Sequence, residues 1–303
     1  MSHKINLLII DPQRSFCAGE KQGIPSDPSK QQKLHDGELC VPGAWDDMVR
    51  VGDMVSRLAQ KISDVKVTLD SHHQLHIAHP CWFTNAKTGE YASPFTAIRL
   101  EGDRILGAAM DTNGQFADVG EFNTPFRAWT LEYLKALTDS KRYGHFIWPY
   151  HCLIGTRGHQ IVEPLAQALL DWELVGRPGY VDIVTKGSDP RVEHFSAVRA
   201  EVVNPKNPEG TGLNSEFITT LVECDEILLT GEALSHCLAN TVRDVANEFA
   251  GGSLGTQDEF IKKCVLLTDA SSSVPGFEKV GESFIKDMKA RGMRTTTTVD
   301  YLA

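Results

Sequence analysis

Three reactive side chains each follow an apolar run with the length and composition of a buried β-strand. Asp11 comes after the letters LLII, Lys186 ends the string VDIVTK, and Cys237 lies shortly after EILLTG. Parallel strands bring their carboxyl ends to one edge of a sheet, where ligands usually bind. A carboxylate, an ammonium and a thiol that meet there could hydrolyse a carbonyl compound, because the carboxylate can accept the thiol proton before sulfur attacks. Alone, Asp11 or Lys186 is an ordinary strand-end charge; with Cys237 they indicate covalent hydrolysis.

Cys237 lies at a predicted strand–turn–helix junction within residues 225–247. The apolar run Ile227–Leu229 breaks at Gly231, and helical spacing begins again through Leu238. Free backbone N–H groups at a helix start and the positive end of its dipole favour a thiolate. The alternative is a small buried apolar residue, as most free cysteines are. A redox role is disfavoured, because no second cysteine lies at C-x-x-C spacing.

A second group of side chains has the composition of a metal site. Asp70 and His72 are two residues apart at the end of an extended segment, so they point to the same side. His151 lies in the string WPYHC. One carboxylate and two imidazoles suit a catalytic zinc or a similar divalent ion, although polar surface remains the alternative from spacing alone. Three further histidines could support this site, belong to a lid or be solvated: His73, His76 and His79.

Six apolar runs alternate with amphipathic segments along the chain. The predicted strands cover residues 4–10, 65–69, 181–185, 227–229, 264–268 and 295–299. The predicted helices cover residues 45–62, 161–172, 213–222 and 276–291, with one more beginning near Cys237. Strands separated by helices imply a mostly parallel sheet covered on both faces. We therefore predict a three-layer (α/β/α), doubly wound fold with a six-stranded sheet, as a single domain over residues 1–303.

One long stretch does not fit the alternation of strands and helices. Between about residues 83 and 145 short polar pieces alternate with aromatic residues, and only 125–138 has clear helical spacing. Connections this long inside an α/β domain are usually functional or form an inserted subdomain. We predict an insertion over residues 83–145 that serves either as a lid or as an oligomer contact.

Composition restricts the partners and the location of the protein. The chain has 303 residues, a formal net charge of −10 and 41% hydrophobic residues, which are typical of a soluble globular protein. The negative charge argues against nucleic acid or an anionic membrane as a partner. No apolar run reaches the roughly 20 residues that span a bilayer. The seven scattered cysteines and the absence of a leader pattern predict reduced thiols in a cytoplasmic protein.

Several motifs together resemble those of the isochorismatase-like cysteine hydrolases. The matching strings are D-P-Q-x-x-F from Asp11, G-x-L-x-V-P-G-A from Gly37, K-G at Lys186 and G-x-A-x-x-x-C from Gly231. The combination T-x-D-x-H, ending at His72, with a later W-P-x-H-C resembles nicotinamidases in particular. The resemblance covers nearly the whole chain except the insertion.

The resemblance implies a reaction and roles for several residues. The expected reaction is hydrolysis of a small amide, with nicotinamide to nicotinate and ammonia as the first candidate, through a thioester on Cys237. Asp11 and Lys186 would activate the thiol. Backbone N–H groups of Leu234 and Cys237 would form the oxyanion hole, next to a cis peptide bond that maps to Ala233–Leu234.

The resemblance also implies a cofactor, pocket walls and an assembly. Asp70, His72 and His151 would bind a divalent metal, with zinc as the first candidate. Phe16, Ala233 and Trp148 are predicted to line the substrate pocket. The chain is expected to form a homo-oligomer, either a dimer or a tetramer.

Departures from the nicotinamidase pattern leave the substrate open. Ser71 and His73 replace the usual tryptophan and proline, Ala78 and His79 replace a serine and a phenylalanine, and Ser235 replaces an acidic residue. These changes concern the pocket walls more than the reacting groups. A ureido or carbamoyl amide therefore remains an alternative substrate, and a metal-binding scaffold without catalysis is a less favoured alternative.

Overall fold

The computed structural model describes residues 3–110, 115–142, 144–175, 179–249 and 256–303. Its main sheet has six parallel strands in the spatial order β11-β10-β9-β1-β2-β8. These strands are β1 (Ile5–Ile10), β2 (Ile62–Asp70), β8 (Asp182–Lys186), β9 (Glu226–Gly231), β10 (Cys264–Leu267) and β11 (Arg294–Thr296). The predicted six-stranded parallel sheet is confirmed. The last strand ends at Thr296, earlier than its predicted end at residue 299.

Helices cover both faces of this sheet, as predicted. The α-helices are α1 (Arg14–Cys17), α2 (Pro28–Leu34), α3 (Ala44–Arg57), α4 (Arg127–Ser140), α5 (Glu163–Glu173), α6 (Pro208–Thr211), α7 (Ser215–Val222), α8 (Ala239–Phe249), α9 (Gln257–Lys263) and α10 (Glu278–Ala290). Short 3₁₀ turns lie at Glu20–Gln22, Pro80–Trp82 and Arg157–His159, and a π-helical turn covers Leu234–Leu238.

The central strand β1 shows why three layers form. All six of its residues are buried, and successive side chains point to opposite faces. Leu7 and Ile9 belong to the core that contains α3 and α5. Leu8 and Ile10 belong to the core that contains α7 to α10. Because both faces of the strand are buried, the sequence is continuously apolar rather than alternating.

The stretch predicted as an irregular insertion contains a second sheet. Its five antiparallel strands have the order β3-β6-β5-β4-β7. They are β3 (Thr84–Asn85), β4 (Thr96–Glu101), β5 (Arg104–Met110), β6 (Phe116–Asn123) and β7 (His145–Phe146), and α4 packs against β4. The irregular description was wrong because β6 is mostly exposed, so its sequence has no apolar periodicity. Residues 111–114 and 143 lie outside the described residues.

The helices and the cysteines bear on membrane insertion and on disulfide bonding. None of the helices in the described part of the chain combines the length and apolar character needed to cross a bilayer. All seven cysteines are free thiols.

Candidate active site

The sheet topology places two of the predicted reactive residues beside each other. Strand order reverses between β1 and β9, because β2 and β8 lie on one side of this pair while β10 and β11 lie on the other. Asp11 follows β1 and Cys237 lies in the π-helical turn after β9. Ligands of doubly wound sheets bind in the crevice at such a reversal, outside the carboxyl ends of the strands.

Lys186 connects the acid and the thiol. Its Nζ lies 2.9 Å from Asp11 Oδ2 and 3.5 Å from Cys237 Sγ. It also lies 3.0 Å from Asp70 Oδ1. The side chains of Asp11 and Lys186 are essentially inaccessible to solvent, and Cys237 is 7% exposed. The structure thus brings the three predicted catalytic side chains together and joins them to the predicted metal cluster.

Burial and the ammonium set the protonation of this cluster. Burial lowers the pKa of the Lys186 ammonium, but the charges of Asp11 and Asp70 outweigh burial and hold this pKa well above its usual value. Burial raises the pKa of Asp11 and raises the pKa of the Cys237 thiol well above its usual value. The resting site therefore contains an ammonium and a protonated thiol, with Asp11 as a base of raised strength.

Asp11 is held by strand β2 rather than by its own loop. Its N–H donates to the backbone oxygen of Thr68 at 3.1 Å and to Oγ1 of Thr68 at 3.0 Å. Oγ1 of Thr68 donates to Asp11 Oδ1 at 2.5 Å, which leaves Oδ2 directed at Lys186. Asp11 has a φ of 44°, a left-handed conformation that costs a non-glycine residue free energy. Such strain is commonly kept at functional positions.

The turn before Cys237 differs from the prediction in one respect. A cis peptide bond is present, but it joins Glu232 to Ala233 rather than Ala233 to Leu234. Gly231 precedes it with a φ of 111°, and a Cβ there would lie 2.1 Å from the Ile10 oxygen. This turn therefore requires glycine at its first position.

The structure contradicts the predicted oxyanion role of Leu234. Its N–H already donates to the Ser272 carbonyl at 2.8 Å, so it is not available to a substrate. The N–H of Ala233 has no acceptor among the described residues and is the better candidate beside the N–H of Cys237. The sequence could not reveal this, because Ser272 lies in a loop after another strand.

The predicted metal ligands form a compact buried group. Asp70, His72 and His151 offer ligand atoms that all lie within 4.8 Å of one another. Asp70 Oδ2 lies 2.9 Å from Nε2 of His72 and 3.3 Å from Nε2 of His151. Burial raises the pKa of Asp70, yet the neighbouring His72 and Lys186 outweigh burial and keep that pKa well below its usual value. An ionised carboxylate with two buried imidazoles fits zinc or a similar divalent ion.

The two imidazoles have the second hydrogen bonds that metal-binding histidines need. Nδ1 of His72 lies 3.0 Å from the Gly187 carbonyl, and Nδ1 of His151 lies 2.8 Å from the Pro149 carbonyl. A carbonyl can only accept, so each Nδ1 carries a proton, and Nε2, which faces Asp70, is the ring atom that would bind a metal.

Backbone contacts explain how residues so far apart in sequence meet. The His72 N–H donates to the Cys152 carbonyl at 3.0 Å, which fixes the segment carrying His151 beside β2. The Gln13 side chain donates to the Asp70 carbonyl and accepts from the Asp70 N–H, both at 2.7 Å. Gln13 of the D-P-Q string thus positions the strand end that carries the predicted metal ligand Asp70.

Gly187 has no room for a side chain. Its φ is 81°, and a Cβ would lie 2.7 Å from Cε1 of His72 and 2.9 Å from Oδ1 of Asp70. In the K-G pair, Lys186 supplies the ammonium. Gly187 is glycine because only a residue without a side chain lets His72 and Asp70 lie this close to the backbone.

A small cavity opens onto Cys237. Its walls include all three predicted pocket residues, Phe16, Ala233 and Trp148, together with Asp70 and His151 of the predicted metal cluster. Further wall residues that the sequence did not reveal are Leu39, Glu193, Phe195, His236 and Val274. His236 lies in the π-helical turn beside Cys237, whereas the other four lie in loops whose position depends on long-range packing and which no local pattern marks.

The remaining histidines divide into two groups. His73 is exposed, whereas His76 and His79 are fully buried beside His72. Burial and neighbouring imidazoles lower the pKa of both His76 and His79 well below the usual value, so both are neutral. Their burial rules out a solvated surface role.

Comparison with known proteins gives the fold. No family model and no curated protein matches the chain. The solved yeast nicotinamidase Pnc1p, bound to the inhibitor nicotinaldehyde, is 18% identical over 97% of this chain and 99% of that chain, with a TM-score of 0.58. An Acinetobacter baumanii nicotinamidase pyrazinamidase is 17% identical over 99% of both chains, with a TM-score of 0.57.

A third solved structure has a zinc ion. It is the Pyrococcus horikoshii pyrazinamidase in complex with zinc, 17% identical over 97% of this chain and 99% of that chain, with a TM-score of 0.50. The chain therefore has the fold of the nicotinamidases. The predicted isochorismatase-like fold is confirmed, and activity and substrate are considered separately below.

Proposed function

We propose that this protein is a metal-assisted cysteine amidohydrolase, with nicotinamide as its first candidate substrate. One observation carries the proposal: the Lys186 ammonium contacts Asp11, Asp70 and Cys237 at once beside the cavity. A nucleophile, a base and a buried cation in one place serve covalent hydrolysis. A thiol buried only for packing would have no need of either charge.

The reaction proceeds in two steps. Asp11 accepts the Cys237 proton, the Lys186 ammonium stabilises the thiolate, and sulfur attacks the amide carbon. Asp11 then gives the proton to the nitrogen, the carbon–nitrogen bond breaks, and ammonia leaves a thioester. Water attacks the thioester while Asp11 accepts its proton, and the acid product departs as Cys237 is reprotonated.

Other groups of the site hold the substrate and its developing charge. The N–H groups of Ala233 and Cys237 donate to the oxyanion. The Phe16 and Trp148 side chains form apolar walls that suit a flat ring. A divalent ion held by Asp70, His72 and His151 would supply a Lewis acid for a polar atom of the substrate or for water.

Ammonia release tests the proposal. Wild-type protein supplied with zinc is incubated with nicotinamide, pyrazinamide and benzamide, and ammonia is measured. Cys237→Ala should abolish release while leaving the thermal unfolding temperature close to that of wild type. Cys264→Ala is the matched control, because Cys264 is also buried but lies in β10. Equal turnover by wild type and Cys237→Ala would overturn the mechanism.

A ureido or carbamoyl amide is the second candidate, and Glu193 favours it. This side chain lines the cavity, and its buried Oε2 has no hydrogen-bond partner among the described residues. An unpaired buried oxygen costs free energy that an N–H of the substrate would offset. Ureido compounds carry such an N–H beyond the scissile amide. Faster release from ureido compounds than from nicotinamide, lost in Glu193→Ala, would favour this candidate.

A further inference from the structure

His79 has the hydrogen bonding of a metal ligand although it lies outside the predicted set. The side chain is completely buried. Its Nδ1 lies 3.1 Å from the Gln74 carbonyl, so Nδ1 carries the proton. Its Nε2 is buried and has no hydrogen-bond partner among the described residues. A buried lone pair without a partner is costly unless something binds it.

The orientation of His79 repeats that of the two predicted ligands. In His72, His79 and His151 alike, Nδ1 faces a backbone carbonyl, which leaves Nε2 as the ring atom that can bind a metal. The His79 ring centre lies 5.3 Å from the ring centres of both His72 and His151. A carbonyl that fixes the tautomer is the usual second contact of a metal-binding imidazole.

His76 provides an internal contrast. It is equally buried, and its ring centre lies 4.2 Å from that of His72. Its Nδ1, however, accepts the Ala78 N–H at 3.2 Å, so the proton of the neutral ring lies on Nε2. Nε2 then has no lone pair for a metal. The grouping of His72, His76 and Glu193 is for this reason not a second metal site, although their ligand atoms lie close together.

We propose that His79 is a fourth protein ligand of the metal centre, which then consists of one carboxylate and three imidazoles. The inference rests on the proposed function, because it deepens the metal site of Asp70, His72 and His151. His79 is not among the residues whose ligand atoms lie within 4.8 Å of one another with those of Asp70, His72 and His151, so coordination by His79 involves a shift of its ring. A site richer in nitrogen favours zinc over magnesium or calcium.

X-ray absorption of the zinc-loaded wild-type protein tests the assignment without any substitution. Three imidazoles around zinc are expected, and two would overturn the assignment of His79. Wild-type protein that binds no zinc at all would instead contradict the metal part of the proposed function. Failure of the inference and failure of the proposed function are thus distinct.

Variants give an independent readout by metal affinity. Zinc affinity is measured on the metal-free proteins by competition with a chromophoric chelator. His79→Phe should lose about 100-fold or more, since even residues behind the ligands cost 10–100-fold. His76→Gln is the matched control: it keeps an acceptor for the Ala78 N–H and should retain three imidazoles and a much higher affinity. Equal affinity of wild type and His79→Phe would overturn the inference.

Discussion

At the scale of single residues, Lys186 is the side chain on which the site depends. One ammonium lies between two carboxylates and a thiol, all of them buried. It links the proposed nucleophile to the predicted metal cluster, because Asp70 contacts both Lys186 and the two imidazoles. Such a cation is needed for stability as well as for chemistry, since two buried carboxylates would otherwise repel each other.

Lys186→Met should lower the free energy of unfolding by about 3–5 kcal/mol at neutral pH, because it leaves buried carboxylates unpaired. The loss should shrink as the pH falls and Asp11, whose pKa burial already raises, becomes protonated. Urea unfolding at several pH values measures this. Lys66→Met is the matched control: Lys66 is equally buried, but its partners Asp64 and Asp182 are more than a third exposed. A loss equal in both variants would contradict the prediction.

The meeting of the three candidate catalytic groups could be predicted because each follows an apolar run whose end is visible in the sequence. Asp11, Lys186 and Cys237 meet once the sheet forms. Glu193 and Phe195 could not be predicted as wall residues, since loop positions depend on distant packing. Leu234 was assigned wrongly to the oxyanion hole because its acceptor, Ser272, is a backbone carbonyl of a different loop.

At the scale of elements, the turn after β9 holds a buried acid. Glu232 is inaccessible to solvent and lies between Gly231 and the cis peptide bond. Its Oε2 accepts the Ser272 N–H at 3.3 Å. Burial and then the neighbouring Asp47 raise the pKa of Glu232 well above its usual value of 4.5. The acid is thus neutral in the folded protein and connects α3 to this turn.

A raised carboxyl pKa makes stability depend on pH in a definite direction. The folded state binds the Glu232 proton more tightly than the unfolded state does. This stabilising contribution is fully present below pH 4.5, the usual pKa of a glutamate. It is lost as the pH rises through the raised pKa of Glu232 in the folded protein. Glu232→Gln mimics the neutral acid, so it should flatten the fall in unfolding free energy between pH 5 and 8.

Urea unfolding of wild type and Glu232→Gln at both ends of this range measures the effect. The exposed Glu278→Gln is the control, and its pH dependence should follow that of wild type. A variant as pH-dependent as wild type would show that Glu232 is not the responsible group.

The elements differ in how readily the sequence predicts them. Strands β1 and β9 are buried on both faces, so their apolar runs are unmistakable. Strand β6 has mainly exposed residues, and its pairing with β5 includes a register shift. Neither continuity nor alternation of apolar residues marks such a strand. Strand β6 is defined by its pairing with β5 and β3, which its own residues do not reveal.

At the scale of the whole molecule, the metal cluster joins two distant parts of the chain. Asp70 and His72 follow β2, whereas His151 comes after the antiparallel sheet and α4. The Trp148 N–H donates to the Ala78 carbonyl at 2.8 Å, so the returning segment is already held near β2 without an ion. A bound ion would connect the two ends of the segment between His72 and His151, and its binding energy would add to the stability of the fold.

Zinc should therefore raise the stability of the entire domain, since an ion that binds only the folded state shifts unfolding by mass action. Free zinc at 1,000 times its dissociation constant should add about 4 kcal/mol. Thermal unfolding of wild type with zinc, and again after a chelator removes it, measures the shift. His151→Ala should show a much smaller zinc-induced shift than wild type, whereas the exposed His73→Ala should respond as wild type does. An undiminished shift in His151→Ala would mean that zinc acts elsewhere, and no shift in wild type would contradict a stabilising role of this cluster.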